Sequence, residues 1–189
     1  MTGRDDPQTT GQDHGDPAAR ARQVCLRLLT LAPRTRAQLA DALRKRGIPD
    51  EAIHEVLDRF EEVGLIDDAA FARAWVESRH YSRGLAGRAL SAELKQRGVG
   101  ADEIRAALDE RLDPDAEAAA ARRLVERRLA ASRGLPAEQR TRRLAGMLAR
   151  KGYPPGLAFR VIRAAMEAEG EAEFPEDEPP FDGADLETE

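Results

Sequence analysis

Apolar residues recur at three- and four-residue spacing along most of the chain, and capping residues cut that pattern into nine segments. Asp16-Pro17 offers an N-cap followed by proline at the first helical position. The helix it opens carries Val24, Cys25, Leu28 and Leu29 and ends before Pro33. Thr35 with Gln38 three residues on predicts a capping box for a second helix, with Leu39 and Leu43 one turn apart and Gly47 as its stop. Pro49-Asp50-Glu51 opens a third, burying Ile53, Val56, Leu57 and Phe60 and stopping at Gly64. Asp67-Asp68 begins a second set, with Phe71 and Trp75, then Leu90 and Leu94 ended by Gly98, then Ile104 and Leu108. Asp113-Pro114 begins a third set, with Leu124, Val125 and Leu129, then Leu144 and Leu148 ended by Gly152, then Val161, Ile162 and Met166.

The three sets are copies of one unit. Leu39-x3-Leu43-x2-Arg46-Gly47-Ile48 aligns with Leu90-x3-Leu94-x2-Arg97-Gly98-Val99 and with Leu144-x3-Leu148-x2-Lys151-Gly152-Tyr153. The paired positions Val56-Leu57, Ala107-Leu108 and Val161-Ile162 follow at one common offset from these glycines. A repeat of about 50 residues, each a helical trio with a small core, is the expected architecture. The boundaries are 17–66, 67–113 and 114–170, with extensions 1–16 and 171–189 that composition reads as disordered and acidic.

Composition agrees with an all-α fold. Ala, Leu, Arg and Glu dominate, aromatic residues are 4% of the chain, and a β-sandwich or barrel is excluded. No apolar run approaches the roughly 20 residues of a membrane span, and the single cysteine fits a reducing, cytoplasmic setting. The formal net charge of -5 hides a division: residues 171–189 hold nine Asp/Glu and no Lys or Arg, whereas residues 17–170 are net +7. A basic body implies an anionic partner, either nucleic acid or an acidic protein surface.

Catalytic chemistry is not in evidence. The three lysines, Lys45, Lys95 and Lys151, belong to no phosphate-binding loop, and His14, His54 and His80 with Cys25 form no metal-ligand spacing. Cys25 and the Phe71/Trp75 pair read as core, and Asp67-Asp68 and Asp102-Glu103 as helix-start residues. No cofactor, metal or small-molecule ligand is expected, and the class is a binding module.

Two groups of cations are the contact candidates. One ends the middle helix of each repeat: Arg44, Lys45 and Arg46; Lys95 and Arg97; Arg150 and Lys151. Cations there complement the helix C-terminus, and stacked repeats would align them into a stripe. The other lies in the third repeat: Arg122, Arg123, Arg127, Arg128, Arg140, Arg142 and Arg143. Some of these arginine stems are expected to cover apolar surface, and some guanidinium groups to pair with Glu126 or Glu138.

The segment Gly64-Leu65-Ile66-Asp67-Asp68-Ala69-Ala70-Phe71-Ala72-Arg73-Ala74-Trp75-Val76-Glu77-Ser78-Arg79 resembles the signature of the RecX family, and Leu90 to Ile104 resembles its next block. The resemblance covers about residues 18–170 and is loosest in the third repeat. It implies an elongated, curved array of three-helix repeats without a catalytic centre. It further implies a regulator of DNA repair, recombination and the SOS response, bound to RecA–DNA filaments. Such a regulator restrains filament growth, ATP hydrolysis, strand exchange and co-protease activity, and some members of the family bind DNA directly. A second reading is a winged helix-turn-helix DNA-binding transcriptional regulator, because Gln38 to Ile66 scans as two helices and an entry to a wing. That reading requires a β-hairpin after Ile66.

Overall fold

The computed structural model describes residues 16–170. It places nine helices there and no strand: α1 (Pro17–Leu31), α2 (Arg36–Arg44), α3 (Asp50–Glu62), α4 (Asp68–Arg83), α5 (Gly87–Gln96), α6 (Ala101–Arg111), α7 (Pro114–Ala130), α8 (Ala137–Arg150) and α9 (Pro155–Ala168). The extensions expected to be disordered lie outside the described residues, apart from Asp16. Where a wing would need a hairpin, α4 begins at Asp68, so the winged helix-turn-helix reading is overturned.

Local signals set the helix ends. The Asp16 carboxylate accepts from Ala18 N at 3.0 Å, and Asp113 accepts from Asp115 N at 3.0 Å. Thr35 and Gln38 form the reciprocal box, Gln38 N donating to Thr35 Oγ1 at 3.2 Å and Thr35 N to Gln38 Oε1 at 3.3 Å. The described residues divide into two compact units, one ending at Asp67 and the other beginning at Asp68.

The first unit is one trio. Leu39, Leu43, Ile53, Val56, Leu57 and Phe60 are buried together with Cys25. Burial pushes the Cys25 thiol up to about 11, which makes it an inert core residue. Arg36 crosses from the start of α2 to α3, donating to Asp58 and Glu61 at 2.5 and 2.6 Å.

The second unit holds two trios. One buries Ala72, Val76, Leu90, Leu94, Ile104 and Ala107. The other buries Val125, Leu129, Leu144, Leu148, Val161, Ile162 and Met166, and takes in Ala86 from the α4–α5 connection. Phe71 and Trp75, expected in the core, are only partly buried and stack with ring centroids 5.7 Å apart. The Trp75 indole N–H donates to Glu93 at 2.9 Å, and both Arg79 and Arg97 place guanidinium groups over its ring. Those rings must stay near the surface because their partners are charged.

The two trios lock at a glycine turn. Gly152 ends α8 with φ +85°, and Tyr153 behind it is buried. Lys151 O accepts from Ala86 N at 2.9 Å, Lys151 Nζ donates to Arg83 O at 2.6 Å, and Tyr153 Oη donates to Gly84 O at 3.1 Å. In return, Glu117 of α7 accepts from Gly87 N at 2.9 Å, capping α5, whose own N-cap residue, Ala86, supplies no side-chain bond. A Cβ at residue 152 would sit 2.4 Å from the backbone nitrogen of Ala89, whereas one at residue 47 would meet nothing within 4 Å. G47A should therefore cost about 1–2 kcal/mol for the left-handed backbone alone. G152A should cost clearly more, because the chain must also retreat from Ala89. Urea unfolding of both variants, followed by far-UV dichroism, measures the difference; equal losses would contradict the close approach.

Candidate functional site

The described residues contain no group of three or more His, Cys, Asp or Glu able to hold a metal. No helix among them is long and apolar enough to cross a membrane. What the second unit does present is cationic side chains, and the structure sorts the expected contact residues by what already neutralises them.

Arg140 is fully buried, so its expected place in the contact set is corrected. Its guanidinium donates to Leu129 O at 3.3 Å, to Ser132 Oγ at 3.3 Å and to the Glu169 carboxylate at 2.5 Å. It ties the end of α7 to the end of α9. Hydrogen bonding from Arg140, helped by Arg133, holds the Glu169 carboxyl below its usual range.

Others are exposed but engaged. Arg44 pairs with Asp50 at 2.9 Å and Asp41 at 3.3 Å, and Arg142 pairs with Glu138 at 2.9 Å. Arg46 donates to Ala42 O at 2.7 Å, closing its own helix end. Arg97 sits over Trp75, its guanidinium carbon 3.7 Å from the ring centroid. Lys45, Lys95 and Arg150 are exposed at helix ends, and Arg143 is exposed in the middle of α8. The stripe envisaged from the repeat register is thus chemically uneven, one copy being ion-paired and another stacked.

The remaining arginines are those of α7. Arg122, Arg123, Arg127 and Arg128 are all exposed, and among the described residues none lies within 4 Å of a carboxylate. The buried side of α7 is Ala121, Val125 and Leu129, which leaves these side chains directed around the rest of its circumference. Arg127 and Arg128 sit in its last turn, close enough to Lys151 for their charges to act on it, as does Arg83 at the end of α4. Partial burial first, and then repulsion from Arg83, Arg127 and Arg128, lowers the Lys151 pKa. Among the described residues, Arg83 is the one of these four cations with a carboxylate within 4 Å, Glu93 at 3.5 Å.

Four cations from three helix ends therefore meet where the trios lock. Sequence reasoning found Arg127, Arg128 and Lys151 separately but not Arg83, nor the Tyr153–Gly84 bond that gathers them. One signal was available: the position after the repeat glycine is Ile48 and Val99 in the first two copies and a hydroxyl-bearing Tyr153 in the third. Burial, then the charge of Glu117, pushes that phenol up to about 12. A concentration of cations of this kind can hold phosphate groups or surface carboxylates by charge-assisted hydrogen bonds.

Two measurements check this division. R140M should destabilise the chain by about 2–3 kcal/mol, by stranding buried acceptors, while R127A and R128A each stay within about 0.5 kcal/mol. The R127A/R128A double variant should raise the Lys151 pKa in an NMR titration of the three lysines, because removing like charge favours the protonated amine. An unchanged Lys151 titration would mean that the cluster is not electrostatically joined.

Comparison with known proteins follows the repeat. Three family models match in order: RecX, first three-helix domain, over residues 21–60; second three-helix domain, over 67–108; and third three-helix domain, over 115–162. A protein of Thermobifida fusca (strain YX) named Regulatory protein RecX is 63% identical over 177 residues, 93% of this chain and 95% of that one. The protein of the same name from Streptomyces lividans is 62% identical over 161 residues, 85% of each chain. That from Mycolicibacterium smegmatis is 47% identical over 168 residues, 85% of this chain and 89% of its own. Two crystal structures share the fold. One, of regulatory protein RecX, has a TM-score of 0.71 at 24% identity, covering 79% of this chain and 72% of its own. The other, of RecX from Lactobacillus salivarius, has a TM-score of 0.73 at 18% identity, covering 79% and 97%.

Proposed function

This chain belongs to the RecX family of regulatory proteins, and from that premise we propose that it binds RecA–DNA filaments and restrains the recombinase. The reading is of a non-enzymatic, cytoplasmic regulator acting in DNA repair, recombination and the SOS response. It would lower RecA ATP hydrolysis, strand exchange and co-protease activity by occupying the filament.

The observation that carries it is the α7 surface, four exposed arginines with no carboxylate within 4 Å among the described residues, continued by Lys151 and Arg83. Charge left uncompensated within a protein costs self-repulsion, so a surface of this kind is stabilised by an anionic partner. A filament presents two sources of negative charge, the phosphates it encloses and the acidic side chains of its subunits. A chain of repeats adds several modest contacts into one strong attachment. Within that surface the exposed Arg122, Arg123, Arg127 and Arg128 are the proposed main contacts, with Lys151, half-buried and already donating to Arg83 O, beside them. Lys45, Lys95, Arg143 and Arg150 are secondary, and the engaged residues Arg44, Arg46, Arg97 and Arg142 contribute least. Weak direct binding of single- or double-stranded DNA follows from the same charge.

Co-sedimentation with preformed RecA–single-strand filaments, alongside RecA ATPase and strand-exchange assays, tests the reading. Stoichiometric protein should pellet with filament and suppress both activities; no effect at any ratio would overturn the proposal. Reversing Arg122, Arg123, Arg127 and Arg128 to Glu should weaken binding by on the order of tenfold or more without unfolding. With naked DNA, log K should fall against log salt with a slope of about -0.7 per phosphate neutralised on a single strand and about -0.9 on a duplex. A flat salt profile would place binding on apolar contacts instead.

A further inference from the structure

We propose that the acidic segment 171–189 acts as an intramolecular competitor for the cationic end of α7, so that polyanions must displace it to bind. The inference rests on the reading of α7 as the anion-binding surface and adds a means of regulating it.

Three observations converge. The first is charge: residues 171–189 carry nine carboxylates and no Lys or Arg, whereas residues 17–170 are net +7. The second is where the segment starts. Glu169, two residues before it, is held by Arg140 and by Arg133, and Arg140 also bonds Leu129 O, the residue next to Arg128. The end of α9 is thereby fixed beside the last turn of α7, within reach of Arg127 and Arg128. The third is length. A chain of 19 residues spans at most roughly 60 Å when extended, and α7, with 17 residues, is about 26 Å long. The segment can therefore reach any arginine on α7 from a fixed anchor.

Tethering makes the competition effective. A short segment held next to its target experiences an effective concentration on the order of millimolar. Each carboxylate contact is worth little in isolation and weakens with salt. The result is a graded screen: weak polyanions are turned away, and a filament offering many phosphates and carboxylates at once displaces the segment.

The test uses the full chain with its nine carboxylates in 171–189 changed in place to amides, as in Glu171→Gln and Asp177→Asn. Binding of a fluorescein-labelled oligo-dT is followed by anisotropy across a salt series. The amide variant should bind more tightly than the native chain by on the order of tenfold at low salt, with the gap closing as salt rises. In a background carrying R127E and R128E, the gap should disappear. A nitroxide placed by A184C in a Cys25→Ser chain should broaden amide signals in residues 122–133, and the amide variant should abolish that broadening.

The outcomes separate the two readings. If native and amide variants bind oligo-dT equally at every salt, and R127E/R128E weakens both, the screen is overturned while the α7 surface stands. If the amide change tightens binding just as much in the R127E/R128E background, the segment acts through net charge alone and the specific contact is overturned. If R127E/R128E leaves binding unchanged in both chains, the reading of α7 fails.

Discussion

The second unit depends on one docked turn. Gly152, in a left-handed backbone conformation, brings α8 to an end so close to Ala89 that a side chain at that position has no room. Around it, Lys151 and Tyr153 bond to the backbone of Arg83, Gly84 and Ala86 in the α4–α5 connection. The trade is mutual, since Glu117 of α7 caps the start of α5. Backbone groups that would otherwise be unpaired at two helix ends are satisfied across the joint, which is why two small trios, each with few large core residues, behave as one compact unit.

That joint also arranges the charge. It draws the ends of α4, α7 and α8 together, each bringing at least one cation, and crowds Lys151 against Arg83, Arg127 and Arg128. Elsewhere in the chain the same residue types are spent on the fold. Arg36 bridges α2 to α3, Arg140 is sealed between α7 and α9, and Arg97 covers the face of Trp75. Charge alone therefore does not mark a contact residue. The proposed contact residues are those exposed with no carboxylate within 4 Å among the described residues, a condition that α7 concentrates.

Much of the fold was legible in the sequence because its signals are local. The Thr35–Gln38 box, the Asp-Pro helix starts and the repeated Leu-x3-Leu-x2-basic-Gly pattern each act within a few residues, and each forms as its chemistry requires. Less was legible where partners are distant. Glu117 and Gly87 are 30 residues apart, and Tyr153 and Gly84 are 69 apart, so neither bond leaves a trace in periodicity. Arg140 read as one more surface arginine beside Arg142 and Arg143, because a helix period cannot show that Leu129 O, Ser132 and Glu169 converge on it. Phe71 and Trp75 read as core because aromatic residues at helical spacing usually are; here Glu93, Arg79 and Arg97 hold the indole at the surface.

The central claim is that the locked joint between the second and third trios is the surface that meets the filament. Hydrogen–deuterium exchange of the full chain, free and bound to RecA–single-strand filaments, tests it most directly. The account predicts slowed exchange on binding at residues 83–87, 122–133 and 150–153. Slowing confined to residues 16–67, with the joint exchanging as fast as in the free protein, would contradict it.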